Sequence, residues 1–99
     1  MRRKTVSGRM DRPSFLRRLR ELAATSGNIF IVRHARQRMV ERGYTDEDVV
    51  RVLSKGMIDE GPFLNGRGNW QATIYRMHAG QEIRVAAALE SGIVVITVI

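Results

Sequence analysis

The chain of 99 residues predicts an α+β domain in which helices pack on one face of a mainly antiparallel sheet. Three observations carry that expectation. Apolar residues recur at helical spacing in three stretches of the first half. After Gly56 the apolar residues come in short runs bounded by turn residues. A single short strand signal separates the first helix from the other two. The length supports one modest core and no second domain, and the 43% apolar share is that of a globular chain.

The elements follow in order. Residues 1–12 are small and basic without periodicity, which predicts a flexible basic arm ahead of a single domain over 13–99. Pro13 suits a first helical turn, and Phe15, Leu16, Leu19, Leu22 and Ala23 form an apolar stripe ending before Gly27. Ile29 to Val32 reads as a buried strand behind the turn pair Gly27-Asn28. A helix from His34 closes at Gly43, in the position that favours a left-handed glycine. Thr45 caps a further helix whose first turn holds Asp46, Glu47 and Asp48, where the helix dipole favours acids. That helix ends at Gly56. Met57 to Glu60 predicts a short strand broken by Gly61-Pro62, with a loop over Asn65 to Gly68. Three more strands follow at Trp70–Met77, Glu82–Glu90 and Ile93–Ile99. The last is apolar on both faces and belongs inside the sheet.

Charge and composition narrow the function. The net charge is +7, and residues 1–20 hold eight basic side chains against Asp11 alone. Such an arm suits a phosphate backbone, an acidic partner or simple solvation. The absence of cysteine excludes disulfides and thiolate metal sites. No apolar run of about 7–15 residues follows Arg2-Arg3-Lys4, as a signal peptide requires, and none reaches the roughly 18 residues of a membrane span. A cytoplasmic protein is expected. His34 and His78 have no third ligand at a recognisable spacing, so neither a metal nor another cofactor is expected.

Two groups of residues carry candidate chemistry. With a three-residue loop Ala79–Gln81, His78 faces Glu82, Arg76 faces Arg84 and Ile74 faces Ala86, while Met77–Ile83, Tyr75–Val85 and Thr73–Ala87 line the core. Two opposed arginines call for an anion or carboxylate between them. Metal-free RNA cleavage needs a base for the 2′-hydroxyl, cations for the crowded phosphate and an acid for the leaving oxygen. His78 would supply base or acid, and Arg76 and Arg84 the charge. A solvated face with a His78–Glu82 ion pair is the competing reading. Tyr75 and Trp70 are candidates for base stacking or for the core, and Lys55 for helix-dipole capping.

The second group is His34, Arg38 and Arg42, which share one stripe of a helix. They serve either as phosphate contacts or structurally, with His34 holding the strand end and Arg38 paired to Glu41 or to an acid of the next helix.

His34-Ala-x-x-Arg38-Met39-x-x-Arg42-Gly43, the acid-capped helix and the terminal Ile96-Thr97-Val98 together resemble a small bacterial family of unknown function. That family is similar in architecture to RelE/ParE-type toxins, and the resemblance covers residues 28–99. It implies a RelE-like fold: a strand, two helices and then a mainly antiparallel sheet of about four strands, here with an extra N-terminal helix. It also implies a concave sheet face whose basic residues act on mRNA, free or on the ribosome, and a cognate antitoxin as partner. The expected function is a toxin acting as a metal-independent mRNA endoribonuclease, with His78, Arg76 and Arg84 catalytic and His34, Arg38, Arg42 and Tyr75 binding nucleic acid. The alternatives are a noncatalytic module that binds nucleic acid or protein, and a toxin acting on gyrase or another protein.

Overall fold

A computed structural model describes residues 10–99. Helix α1 (Arg12–Ala23) starts where the Asp11 carboxylate accepts from the Ser14 backbone N–H at 2.9 Å, and it buries Phe15, Leu19, Leu22 and Ala23. Met10 packs against the core. The remainder of the predicted arm, residues 1–9, lies outside the described residues.

A 3-10 turn at Ser26–Asn28 leads into β1 (Ile29–Ile31), followed by α2 (Arg33–Arg42) and α3 (Asp46–Lys55). Gly43 ends α2 in the left-handed conformation, with φ of 75°. Four strands complete the chain: β2 (Met57–Leu64), β3 (Trp70–His78), β4 (Gln81–Leu89) and β5 (Ile93–Val98). The domain is α+β, with a five-stranded mixed sheet in the order β1-β5-β4-β3-β2. β5 pairs with β1 in parallel, and the other neighbours are antiparallel.

Two expectations change. The strand β1 joins the sheet edge with no buried residue, rather than lying buried, and gives five strands rather than about four. The β2 segment is not broken at Gly61-Pro62 but runs through it to Leu64, with register shifts on either side of Glu60. An edge strand tolerates both the proline and the bulges, because its outer side has no ladder to lose. The apolar run of β5 lies inside the sheet, as its pattern requires.

All three helices cover one face. Phe15 and Leu19 from α1, Met39 from α2 and Val52 and Leu53 from α3 meet Ile74, Val85 and Val95 of the sheet. Arginines then fasten α1 along the edge: Arg12 Nε donates to the Gly61 carbonyl at 2.9 Å, and Arg20 Nη2 donates to that of Gly56 at 3.1 Å. Those bonds occupy acceptors that an exposed strand edge otherwise offers to other chains.

Helix α3 begins with a reciprocal cap. Thr45 Oγ1 accepts from the Asp48 N–H at 3.1 Å, and the Asp48 carboxylate accepts from the Thr45 N–H at 2.9 Å. Thr45→Ala is therefore expected to cost about 1 kcal/mol and to lower the melting temperature by roughly 4–8 °C. Thermal denaturation followed by circular dichroism checks this, and an unchanged midpoint contradicts it.

Candidate functional site

The geometry of the β3–β4 hairpin sets which candidate residues share a face. Ala79 and Gly80 both adopt positive φ, at 51° and 80°, so the strands are joined by a two-residue turn of the kind whose twist suits a hairpin. His78 consequently pairs with Gln81, Arg76 with Ile83 and Tyr75 with Arg84. The register is one residue away from that expected with a three-residue loop, and a shift of one residue exchanges the faces of one strand relative to the other. Ile74–Val85 and Ala72–Ala87 form the core pairs instead of Tyr75–Val85 and Thr73–Ala87.

Arg76 and Arg84 are thus not opposed. Arg84 lies on the uncovered face beside Tyr75, whereas Arg76 and His78 extend the helix-covered face beyond its buried part. Among the described residues Arg76 forms no ion pair. His78 Nε2 sits 4.0 Å from the Asp48 carboxylate, linking the end of β3 to the start of α3. The Thr45 backbone N–H bond, assisted by the nearby charges of His78 and Arg51, holds the Asp48 carboxyl below its ordinary pKa.

The anion facing Arg84 is supplied by the protein. Its guanidinium donates to Glu82 at 2.8 Å and is also bonded to Asp59. The Glu82 bond and the Asp59 charge hold its pKa above the usual arginine value. Both carboxylates are paired with the cation in the folded chain. No signal in the sequence singles out Asp59, because the irregular course of β2 conceals which face it joins.

On α2 the stripe divides by role. Arg38 Nε donates to the Val98 carbonyl at 3.2 Å, and its Nη1 lies 3.4 Å from Glu41, so Arg38 binds the helix to β5. The acid of the next helix is met by Arg36, whose two nitrogens donate to Asp46 at 3.0 and 3.2 Å. The bond to Asp46 and its charge raise the Arg36 pKa. Arg33, His34 and Arg42 are exposed and form no ion pair among the described residues.

Charge is consequently segregated by the sheet. Helices α1 and α2 carry eight arginines and two acids, and α3 adds three acids, one arginine and one lysine. On the uncovered side, Arg84 and the loop residue Arg67 are outnumbered by Asp59, Glu60, Glu82 and Glu90. The uncovered face therefore carries more acidic than basic side chains. Among the described residues no helix is long and apolar enough to cross a membrane, and no group of three or more His, Asp or Glu side chains is placed to hold a metal ion.

A family model described as Domain of unknown function (DUF4258) matches residues 31–99, from the end of β1 to the last residue. No curated protein and no solved structure matches the chain significantly.

Proposed function

The chain belongs to the DUF4258 family of unknown function, and from the placement of its charges we propose that it is a noncatalytic nucleic-acid-binding module working through its helical layer. The observation that carries this reading is the exposed cationic set Arg33, His34 and Arg42 on α2, with the arginines of α1 elsewhere in the same helical layer. The basic residues Arg2, Arg3, Lys4 and Arg9 add charge in sequence, although they lie outside the described residues. Arginines on one surface neutralise phosphates without reading bases, so binding is sequence-tolerant and steeply dependent on salt.

A second reading is supported by the uncovered face. Arg84, Tyr75 and Asp59 there bring a cation, a phenol and a carboxylate to one surface of a fold built as strand, two helices and antiparallel strands. In that reading the chain is a RelE-like toxin acting in the cytoplasm as a metal-independent mRNA endoribonuclease, on free or ribosome-bound message, and restrained by an antitoxin. Asp59 replaces His78 as the base, Arg84 steadies the phosphate, and Arg76 and His78 take no part.

One experiment separates the readings. Binding of labelled single-stranded RNA is measured at two salt concentrations for the wild type, the Arg33→Ala/Arg42→Ala double variant and Arg84→Ala. End-labelled mRNA is incubated in parallel with EDTA, with and without ribosomes. The double variant is expected to bind at least about tenfold more weakly and, having lost two contacts, to show a logarithmic salt slope shallower by about 1.4. Arg84→Ala should bind like the wild type, with the RNA intact throughout. Cuts that disappear in Arg84→Ala establish the nuclease instead.

A further inference from the structure

We propose that the groove between α1 and the start of β2 binds a small anionic amphiphile, an aliphatic chain ending in a carboxylate. The groove has a volume of about 820 Å³, and its aliphatic floor is made of Pro13 and Leu16 from α1 with Met57 and Ile58 from β2. Met57 is 53% exposed, so the floor is open to a ligand rather than sealed by neighbouring side chains. The volume falls in the range of small-molecule sites, which are mainly apolar with a few polar groups that fix orientation. No aromatic side chain lines the groove, so it offers no stacking surface to a nucleobase.

Three arginines supply the polar groups. Arg12, Arg17 and Arg20 line the groove against one acid, Glu21, which is already paired with Arg18 at 3.3 Å. None of the three forms an ion pair among the described residues. The neighbouring carboxylates are committed elsewhere: Asp11 accepts the Ser14 N–H, and Asp59 is bonded to Arg84. Arg12 donates to the carbonyls of Gly61 and Asp59 at 2.9 and 3.4 Å, and Arg20 to that of Gly56 at 3.1 Å. A guanidinium carries several N–H donors in a rigid fork, so both keep donors for a carboxylate while the strand fixes their positions. Cations held in this way lose little freedom on binding, which favours association.

Charge and backbone pairing together select the occupant. An added β-strand, the usual occupant of a sheet edge, needs the outward carbonyls that Arg12 and Arg20 already hold. A free carboxylate instead uses the guanidiniums, with the paired geometry that suits them, and leaves the edge as it stands. From Arg12 to Arg20 is eight residues of helix, or about 12 Å, so a chain of medium length lies over Leu16 and Met57 with its carboxylate at an arginine. Arg2, Arg3, Lys4 and Arg9, which precede α1 in sequence, have the same sign of charge and offer the groove no counter-ion. The groove shares α1 with the nucleic-acid surface proposed above, but none of Arg33, His34 and Arg42 lines it. Either assignment can therefore fail without the other.

The test is methyl chemical-shift mapping of the full chain with decanoate below its micelle concentration. Comparison ligands are acetate, decyltrimethylammonium and a single-stranded RNA oligonucleotide. Decanoate is expected to shift Leu16, Met57 and Ile58 saturably, and acetate and the ammonium are not. Arg17 is exposed and bonds to no other side chain among the described residues, so Arg17→Glu should keep the melting temperature and weaken decanoate binding about tenfold or more. The Arg33→Ala/Arg42→Ala variant should bind decanoate like the wild type. Absence of shifts in the groove overturns the proposal, as do equal shifts from decyltrimethylammonium, which would show that the arginines select nothing. Displacement of decanoate by RNA also overturns it, because the groove is then part of a nucleic-acid surface.

Discussion

Phe15→Ala is expected to lower the unfolding free energy by about 3–5 kcal/mol, a large part of the roughly 5–15 kcal/mol that holds a domain of this kind together. Phe15 is fully buried, at 0% exposure, and it belongs to the same core as Val49, Leu53 and Ile74. Truncation removes the ring and leaves a cavity whose walls, the backbones of α1, α3 and the sheet, cannot close completely. The result matters because α1 lies outside residues 31–99, the stretch that defines the family. A helix merely appended to that stretch would give a loss below about 1 kcal/mol, in the range of surface changes. Urea denaturation followed by circular dichroism measures the effect. Phe15→Leu keeps much of the volume and should recover most of the loss.

Local signals make the helices legible, and a long-range signal decides the site. Asp11, Thr45 and Gly43 act through neighbours three or four residues away, so capping and helix-stop chemistry can be read directly from the chain. The parallel pairing of Ile29–Ile31 with Ile93–Val95 joins segments more than sixty residues apart, and nothing in either segment names the other. Gly61-Pro62 usually marks a break, so the pattern after Gly56 predicts too short a strand, whereas an edge strand absorbs the pair. The site depends on one turn. Ala79 is an unusual residue for positive φ, where Asn, Asp or Gly is favoured, and this conceals the two-residue hairpin that separates Arg84 from Arg76 and His78. The core offers a usable check: the observed pairing places Ile74 with Val85, both fully buried, whereas the alternative assigns the phenol of Tyr75 to that position.

Gly56→Ala should cost about 3 kcal/mol, at the upper end of what overpacking usually takes. The backbone itself permits alanine, because Gly56 has φ of −77° and ψ of 175° rather than a left-handed conformation. The obstacle is contact. A Cβ at this position would lie 2.5 Å from the Val52 carbonyl oxygen, 2.6 Å from that of Tyr75 and 2.7 Å from the Ile74 side chain. Two of those neighbours are backbone atoms, and the Val52 oxygen also accepts the Gly56 N–H at 2.8 Å, so relief requires moving α3 away from β3. That separation would disturb the packing of Leu53 against the sheet and the approach of Asp48 to His78 together. Gly43→Ala provides the contrast, because a Cβ there would meet no atom within 4 Å and only the left-handed φ of 75° is penalised, at about 1 kcal/mol. Equilibrium denaturation of both variants separates crowding from conformational strain: equal losses would show that the end of α3 can lift from the sheet without penalty, contrary to the close contact at Gly56.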